Sequence, residues 1–100
     1  MFPPKIKDFV SELIKRTELG EFSWTYDDEN ATVQLSADKF TVSLRYSFNG
    51  VEEVGEFVMF YYDAAAQKEY RFYTNQTWND YDVARRLYDA AQSSGLKLPF

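Results

Sequence analysis

Cysteine and histidine are both absent from this chain of 100 residues. Without cysteine there is no disulfide framework, no thiolate nucleophile and no cysteine-ligated zinc. Without histidine, the side chain best suited to proton transfer near neutral pH is missing. No run approaches the roughly 18 apolar residues of a membrane span. The opening MFPPKIKDFV lacks the continuous apolar stretch of a signal peptide. A soluble cytoplasmic protein with no membrane partner is expected. Basic clusters are missing too. The net charge is −5, Lys5, Lys7, Lys15 and Arg16 are interspersed with Asp8, Glu12 and Glu18, and Arg85–Arg86 sits between Asp80, Asp82 and Asp89. These read as solvated helix faces with i,i+4 pairs such as Glu12–Arg16 and Asp82–Arg86, and they speak against a nucleic-acid partner. No Gly-rich phosphate loop, nucleophile elbow or metal-binding helix motif occurs. The expectation is a non-enzyme with no cofactor and no metal.

What is present is apolar residue in quantity. Hydrophobic residues make up 45% and charged residues 27%, the balance of a chain that folds, and residues 1–100 have the size of a single domain. Ile6, Phe9, Val10, Leu13, Ile14 and Thr17 recur at helical spacing. Pro3–Pro4 suits the start of that helix and Gly20 its end, which places it at about residues 4–19. Strict alternation follows. Phe22, Trp24 and Tyr26 alternate with polar residues, as do Ala31, Val33, Leu35 and Ala37, and then Phe40, Val42, Leu44, Tyr46 and Phe48. Further strands are expected from about Glu52 to Tyr62 and from Lys68 to Thr74. A last helix begins at an Asn79 cap and carries a thin stripe of Val83, Ala84, Leu87, Ala90, Ala91 and Ser94. Gly95 closes it, with Leu96 set for the usual apolar contact. The expected fold is α+β: a five-stranded antiparallel meander with the N-terminal and C-terminal helices packed on one face.

Within that plan one segment is anomalous. Phe57 to Tyr62 is six large apolar or aromatic residues in succession, so both faces of that strand are greasy. Asn49–Gly50 has the composition of a two-residue hairpin turn. Such a turn sets Phe48 opposite Val51, Leu44 opposite Gly55, Val42 opposite Phe57 and Phe40 opposite Met59. Closing the preceding loops pairs Leu35 with Val42 and Trp24 with Val33. The helix-facing set is then Gly55, Phe57, Met59 and Tyr61, joined by Tyr70 and Phe72 from the next strand. Val54, Val58, Phe60 and Tyr62 point the other way. With Tyr73, they form an outward stripe of Val58, Phe60, Tyr62 and Tyr73 fringed by Arg45, Glu56 and Arg71. Apolar surface of this kind, aromatic with arginine, is typical of protein interfaces. Three coverings are open on sequence alone: a protein partner, a second copy of the chain, or the chain itself, through the tail Leu96–Phe100 or the last helix.

Other candidate chemistry is weaker. The turn Asp27-Asp28-Glu29-Asn30 offers oxygen ligands but not the spacing of a calcium loop, and turn formation explains its composition. Glu52, Glu53 and Glu56 read as solvated strand charge rather than a catalytic pair. Trp24 belongs to the buried alternation, and Trp78 stands where a staple would meet Val83. A second functional class is a small-ligand pocket or small enzyme site between sheet and helices, with Arg45, Tyr62, Arg71 and Tyr73 as its polar groups. A third is acidic mimicry of nucleic acid. The segments Gly20-Glu21-Phe22-Ser23-Trp24 and Ala84-Arg85-Arg86-Leu87-Tyr88 give the chain a pattern that resembles small uncharacterised bacterial proteins of helix–antiparallel sheet–helix plan. That likeness implies the fold plan and transfers no activity and no site residue.

Overall fold

The computed structural model describes residues 1–96 and Pro99. Helix α1 (Pro4–Glu18) is followed by β1 (Thr25–Asp27), β2 (Thr32–Ser36), β3 (Phe40–Asn49), β4 (Val54–Asp63), β5 (Lys68–Asn75) and α2 (Tyr81–Ser93). The strands form one antiparallel sheet in the order β1-β2-β3-β4-β5. This is the expected α+β meander.

Helix α1 starts where proline has no donor to lose: the Pro3 carbonyl accepts from the Ile6 and Lys7 N–H groups. It ends at Gly20, whose φ of +82° lets its N–H reach the Thr17 carbonyl while the Glu21 N–H reaches that of Arg16. Two otherwise orphaned carbonyls are thereby satisfied. Helix α2 differs from expectation at both ends. Its cap position is Asp80, not Asn79, so the residue just before the cap is Asn79 and Trp78 is displaced from the staple position. Gly95 is not left-handed, because the end closes instead on Leu96 N–H to the Ser93 carbonyl, and Leu96 is 65% exposed. On the surface Glu12–Arg16 pairs at 3.0 Å as anticipated, while Arg85–Asp89 at 4.0 Å replaces the anticipated Asp82–Arg86.

One apolar cluster lies between the helices and the sheet: Val10, Leu13 and Ile14 of α1, Ala84, Leu87 and Ala91 of α2, and Val33, Leu35, Val42, Leu44, Phe57 and Met59 of the strands. The thin stripe of α2 now has a physical meaning. Small residues let α2 approach β1, β2, β4 and β5 directly, whereas α1 reaches the sheet through large rings. Phe9 meets Phe40 at 5.7 Å and Tyr61 at 5.4 Å, both edge-on. Trp24, just before β1, is tied to both helices: its indole donates to Thr17 Oγ1 at 2.9 Å and its backbone N–H to Ser94 Oγ at 2.8 Å.

The β3–β4 register departs from the two-residue turn. Phe48 pairs with Gly55, Leu44 with Met59, Val42 with Tyr61 and Phe40 with Asp63. Relative to expectation, β4 has slipped by four residues. The cause is the Asn49 side chain, whose Oδ1 accepts the Val51 and Glu52 N–H groups and opens the reversal into a four-residue loop closed by Glu53 at φ +56°. Gly50 is not left-handed, so the type I′ turn is absent. A similar slip of two occurs upstream, where Val33 pairs with Tyr26 rather than Trp24; Leu35 does pair with Val42. Both slips are even, so every side chain keeps its face. Gly55 remains on the helix side, where a Cβ would lie 2.9 Å from both the Tyr46 and Tyr81 hydroxyl oxygens. Three expectations of burial fail at the margins of the sheet. Phe48 is 62%, Tyr70 39% and Tyr26 38% exposed: the β3–β4 tip extends past the helix layer, Tyr70 stands below the unsealed first turns of α1, and Tyr26 lies in the three-residue edge strand β1.

Candidate protein-binding surface

Reading the pairings across the sheet gives the rows of its outer face. Thr25, Gln34, Ser43, Phe60 and Arg71 form one row, and Asp27, Thr32, Arg45, Val58 and Tyr73 the next. Ser36, Thr41, Tyr62 and Glu69 flank the first; Ser47, Glu56 and Asn75 flank the second. Both helices pack on the opposite side, and none of Val58, Phe60, Tyr62 or Tyr73 belongs to the core cluster. Helix α2 therefore does not cover the stripe. In the tail, Leu96 and Pro99 are exposed, while Lys97, Leu98 and Phe100 lie outside the described residues.

The stripe is more self-contained than the sequence implies. Tyr62 is 38% exposed, but Val58, Phe60 and Tyr73 are half-buried. The Arg71 guanidinium lies 5.0 Å from the centre of the Phe60 ring, a cation–π contact. Trp78 packs edge-on against Tyr73 at 5.6 Å. The Tyr73 hydroxyl donates to Glu56 Oε2 at 2.5 Å, and this bond to a carboxylate is the main reason its phenol titrates above the usual tyrosine range. Ser47 donates to the other oxygen of Glu56 at 3.3 Å. Glu56 is thus held internally. Asp27 is also occupied, accepting from the Asn30 side-chain amide at 2.7 Å and the Asn30 N–H at 3.3 Å. These bonds depress its pKa, with the side-chain bond first, and they confirm the acidic turn as a turn. Arg45 and Arg71, both exposed, enter no ion pair among the described residues.

The pocket between sheet and helices exists, but not with the polar groups the sequence proposes for it. Arg45, Tyr62, Arg71 and Tyr73 all lie on the outer face. The cleft, about 430 Å³, opens under the N-terminal half of α1 and is lined by Lys5, Ile6, Phe9, Tyr61, Asp63, Tyr70 and Phe72. It arises because α1 stands off the sheet on ring-sized side chains and its first turns do not seal Tyr70. A larger, open depression of about 560 Å³ separates the C-terminal ends of the helices and is mostly polar. Among the described residues no helix is long and apolar enough to cross a membrane.

Sequence reasoning missed one neighbour of the stripe, Trp78, and one bond within its fringe, from Tyr73 to Glu56. The expected staple of Trp78 on Val83 presumes a cap at Asn79; with the cap at Asp80, Trp78 packs on Tyr73 instead. The Glu56–Tyr73 bond follows from the β4–β5 register, in which Glu56 faces Asn75 and Val58 faces Tyr73; alternation alone does not supply that register. Comparisons with protein-family models, curated proteins and solved structures return no match to this chain.

Proposed function

We propose that the protein is a non-enzymatic binding module of the accessory, immunity or inhibitor kind. It acts in the cytoplasm and uses the outer face of its sheet to hold a protein partner. The observation that carries this reading is the composition of that face. A single apolar ladder on β4, Val58, Phe60 and Tyr62, crosses an otherwise polar surface between two arginines that have no ion-pair partner among the described residues. The acidic neighbours that could neutralise them, Glu56 and Asp27, are held by Tyr73, Ser47 and Asn30. The matching surface is apolar with carboxylates beside it, since truncated aromatics and arginines dominate the energetics of such contacts. Acidic mimicry of nucleic acid is not favoured, because the centre of this face is cationic.

The test is Phe60→Glu together with Phe48→Glu, a control at the exposed hairpin tip. A partner captured by the wild type and reconstituted as a purified pair should lose affinity by at least ~100-fold with Phe60→Glu, the range of a central hot spot. Phe48→Glu should leave it within about threefold. Equal binding by all three proteins, or unfolding of Phe60→Glu, overturns the reading. A second reading, a small-ligand site, rests on the aromatic cleft beneath α1, whose size lies within the roughly 300–1,000 Å³ of ligand pockets.

A further inference from the structure

The sheet has one long free edge. At the other end β1 is only three residues, while β5 runs for eight and contains no proline. Hydrogen bonding fixes which of its backbone groups are free. The Gln76 N–H donates to the Gly55 carbonyl at 3.1 Å, so Thr74, Phe72, Tyr70 and Lys68 continue as the residues that exchange bonds with β4. Glu69, Arg71 and Tyr73 direct their N–H and C=O groups away from the sheet. The Met1 amine confirms the direction by donating to the Tyr73 carbonyl at 2.7 Å. Glu69 and Arg71 have no other edge partner among the described residues. Their side chains stand on the outer face, and Tyr70 between them stands on the helix face.

We propose that this edge pairs with β5 of a second copy, antiparallel, about a two-fold axis through Tyr70. Charge selects the register. An axis at Tyr70 places Glu69 opposite Arg71 of the second copy, twice by symmetry, and both positions are ones whose backbone groups face the new strand. An axis at Arg71 would oppose two arginines, and one at Glu69 two glutamates, both unfavourable in cross-strand contact. Charged residues on an edge deter pairing with an arbitrary strand; here the same charges are self-complementary in one alignment. The contact also brings the two Tyr70 side chains together across the axis, covering rings that are 39% exposed in the single copy. On the outer face Tyr62 and Glu69 then continue into Arg71 and Phe60 of the second copy, and the two aromatic stripes join.

The experiment is sedimentation of the purified chain from ~10 µM to ~1 mM, the range in which a contact this small associates. The wild type should form dimers. Glu69→Arg should weaken dimerisation about tenfold, since the axis repeats the new like-charge contact. Arg71→Glu should do the same, and the double exchange Glu69→Arg/Arg71→Glu should restore the wild-type constant within about threefold. A wild type that stays monomeric, or a double exchange no better than the single ones, overturns the proposal. Val58→Glu separates this edge from partner binding on the face: it should abolish the latter and leave the dimer unchanged, and its loss of the dimer would show that the copies meet through the face instead.

Discussion

Replacing Asp80 by alanine is expected to destabilise the fold by about 3–6 kcal/mol, from two lost bonds to a charged acceptor at roughly 1.5–3 kcal/mol each. Asp80 is 1% exposed. One carboxylate oxygen accepts the Phe2 N–H at 2.5 Å and the other the Thr74 hydroxyl. The side chain therefore joins three segments distant in sequence: the residues before α1, the end of β5 and the start of α2. Alanine would leave the Phe2 donor and the Thr74 hydroxyl buried without these partners, and that unmet desolvation is the larger part of the cost. Asp80→Asn should lose roughly half as much, since the amide keeps one acceptor and presents a donor to the other site. Urea unfolding checks both, with Asp82→Ala, exposed on the same turn, expected within about 0.5 kcal/mol of wild type. A loss below about 1 kcal/mol for Asp80→Ala would mean that these bonds do not form in solution.

Leu87→Ala carries the second large effect, about 2–5 kcal/mol. Leu87 is fully buried, with Ala84 and Ala91 beside it on the same face of α2. Those small neighbours bring the helix close to the sheet, and they also have no atoms with which to fill a cavity, so relaxation is limited. Val83→Ala, at a half-buried position on the same helix, should cost less. A melting curve for Leu87→Ala that overlays the wild type would remove α2 from the core described above.

The element order and the identity of each sheet face were legible in the sequence because both depend on period alone. Alternation in β2, β3 and β4 specifies which residues share a side, and that information survives any even slip in pairing. The β2–β3 register held at Leu35 and Val42, but the β3–β4 register did not survive. It depends on whether the Asn49 side chain bonds to its own backbone or leaves the next two residues to form the reversal, and the dipeptide Asn-Gly is compatible with both. The depth of burial at Tyr70 and Phe48 was illegible for another reason: the pattern names a face, and the length of the covering helices decides how far along it the cover extends. Asp80 shows the limit most plainly. An aspartate at the start of a helix looks like a solvent-facing complement to the dipole, and only the arrival of Phe2, 78 residues away in sequence, turns it into a buried anchor. The outer stripe was found because β4 departs from alternation, while its moderation by Trp78, Glu56 and Arg71 required the β4–β5 pairing.

Absence of cysteine permits the most direct test of the two faces. Single-cysteine variants at Phe57, Val58, Met59, Phe60 and Tyr62 each place one thiol on β4, and its reaction rate with a soluble disulfide reagent reports access from solvent. Fast reaction at 58, 60 and 62 with protection by about 100-fold or more at 57 and 59 is the expected alternation, because buried thiols react only through opening of the fold. Comparable rates at 59 and 60, or a thiol at 60 protected as strongly as its neighbours, would contradict an open outer face.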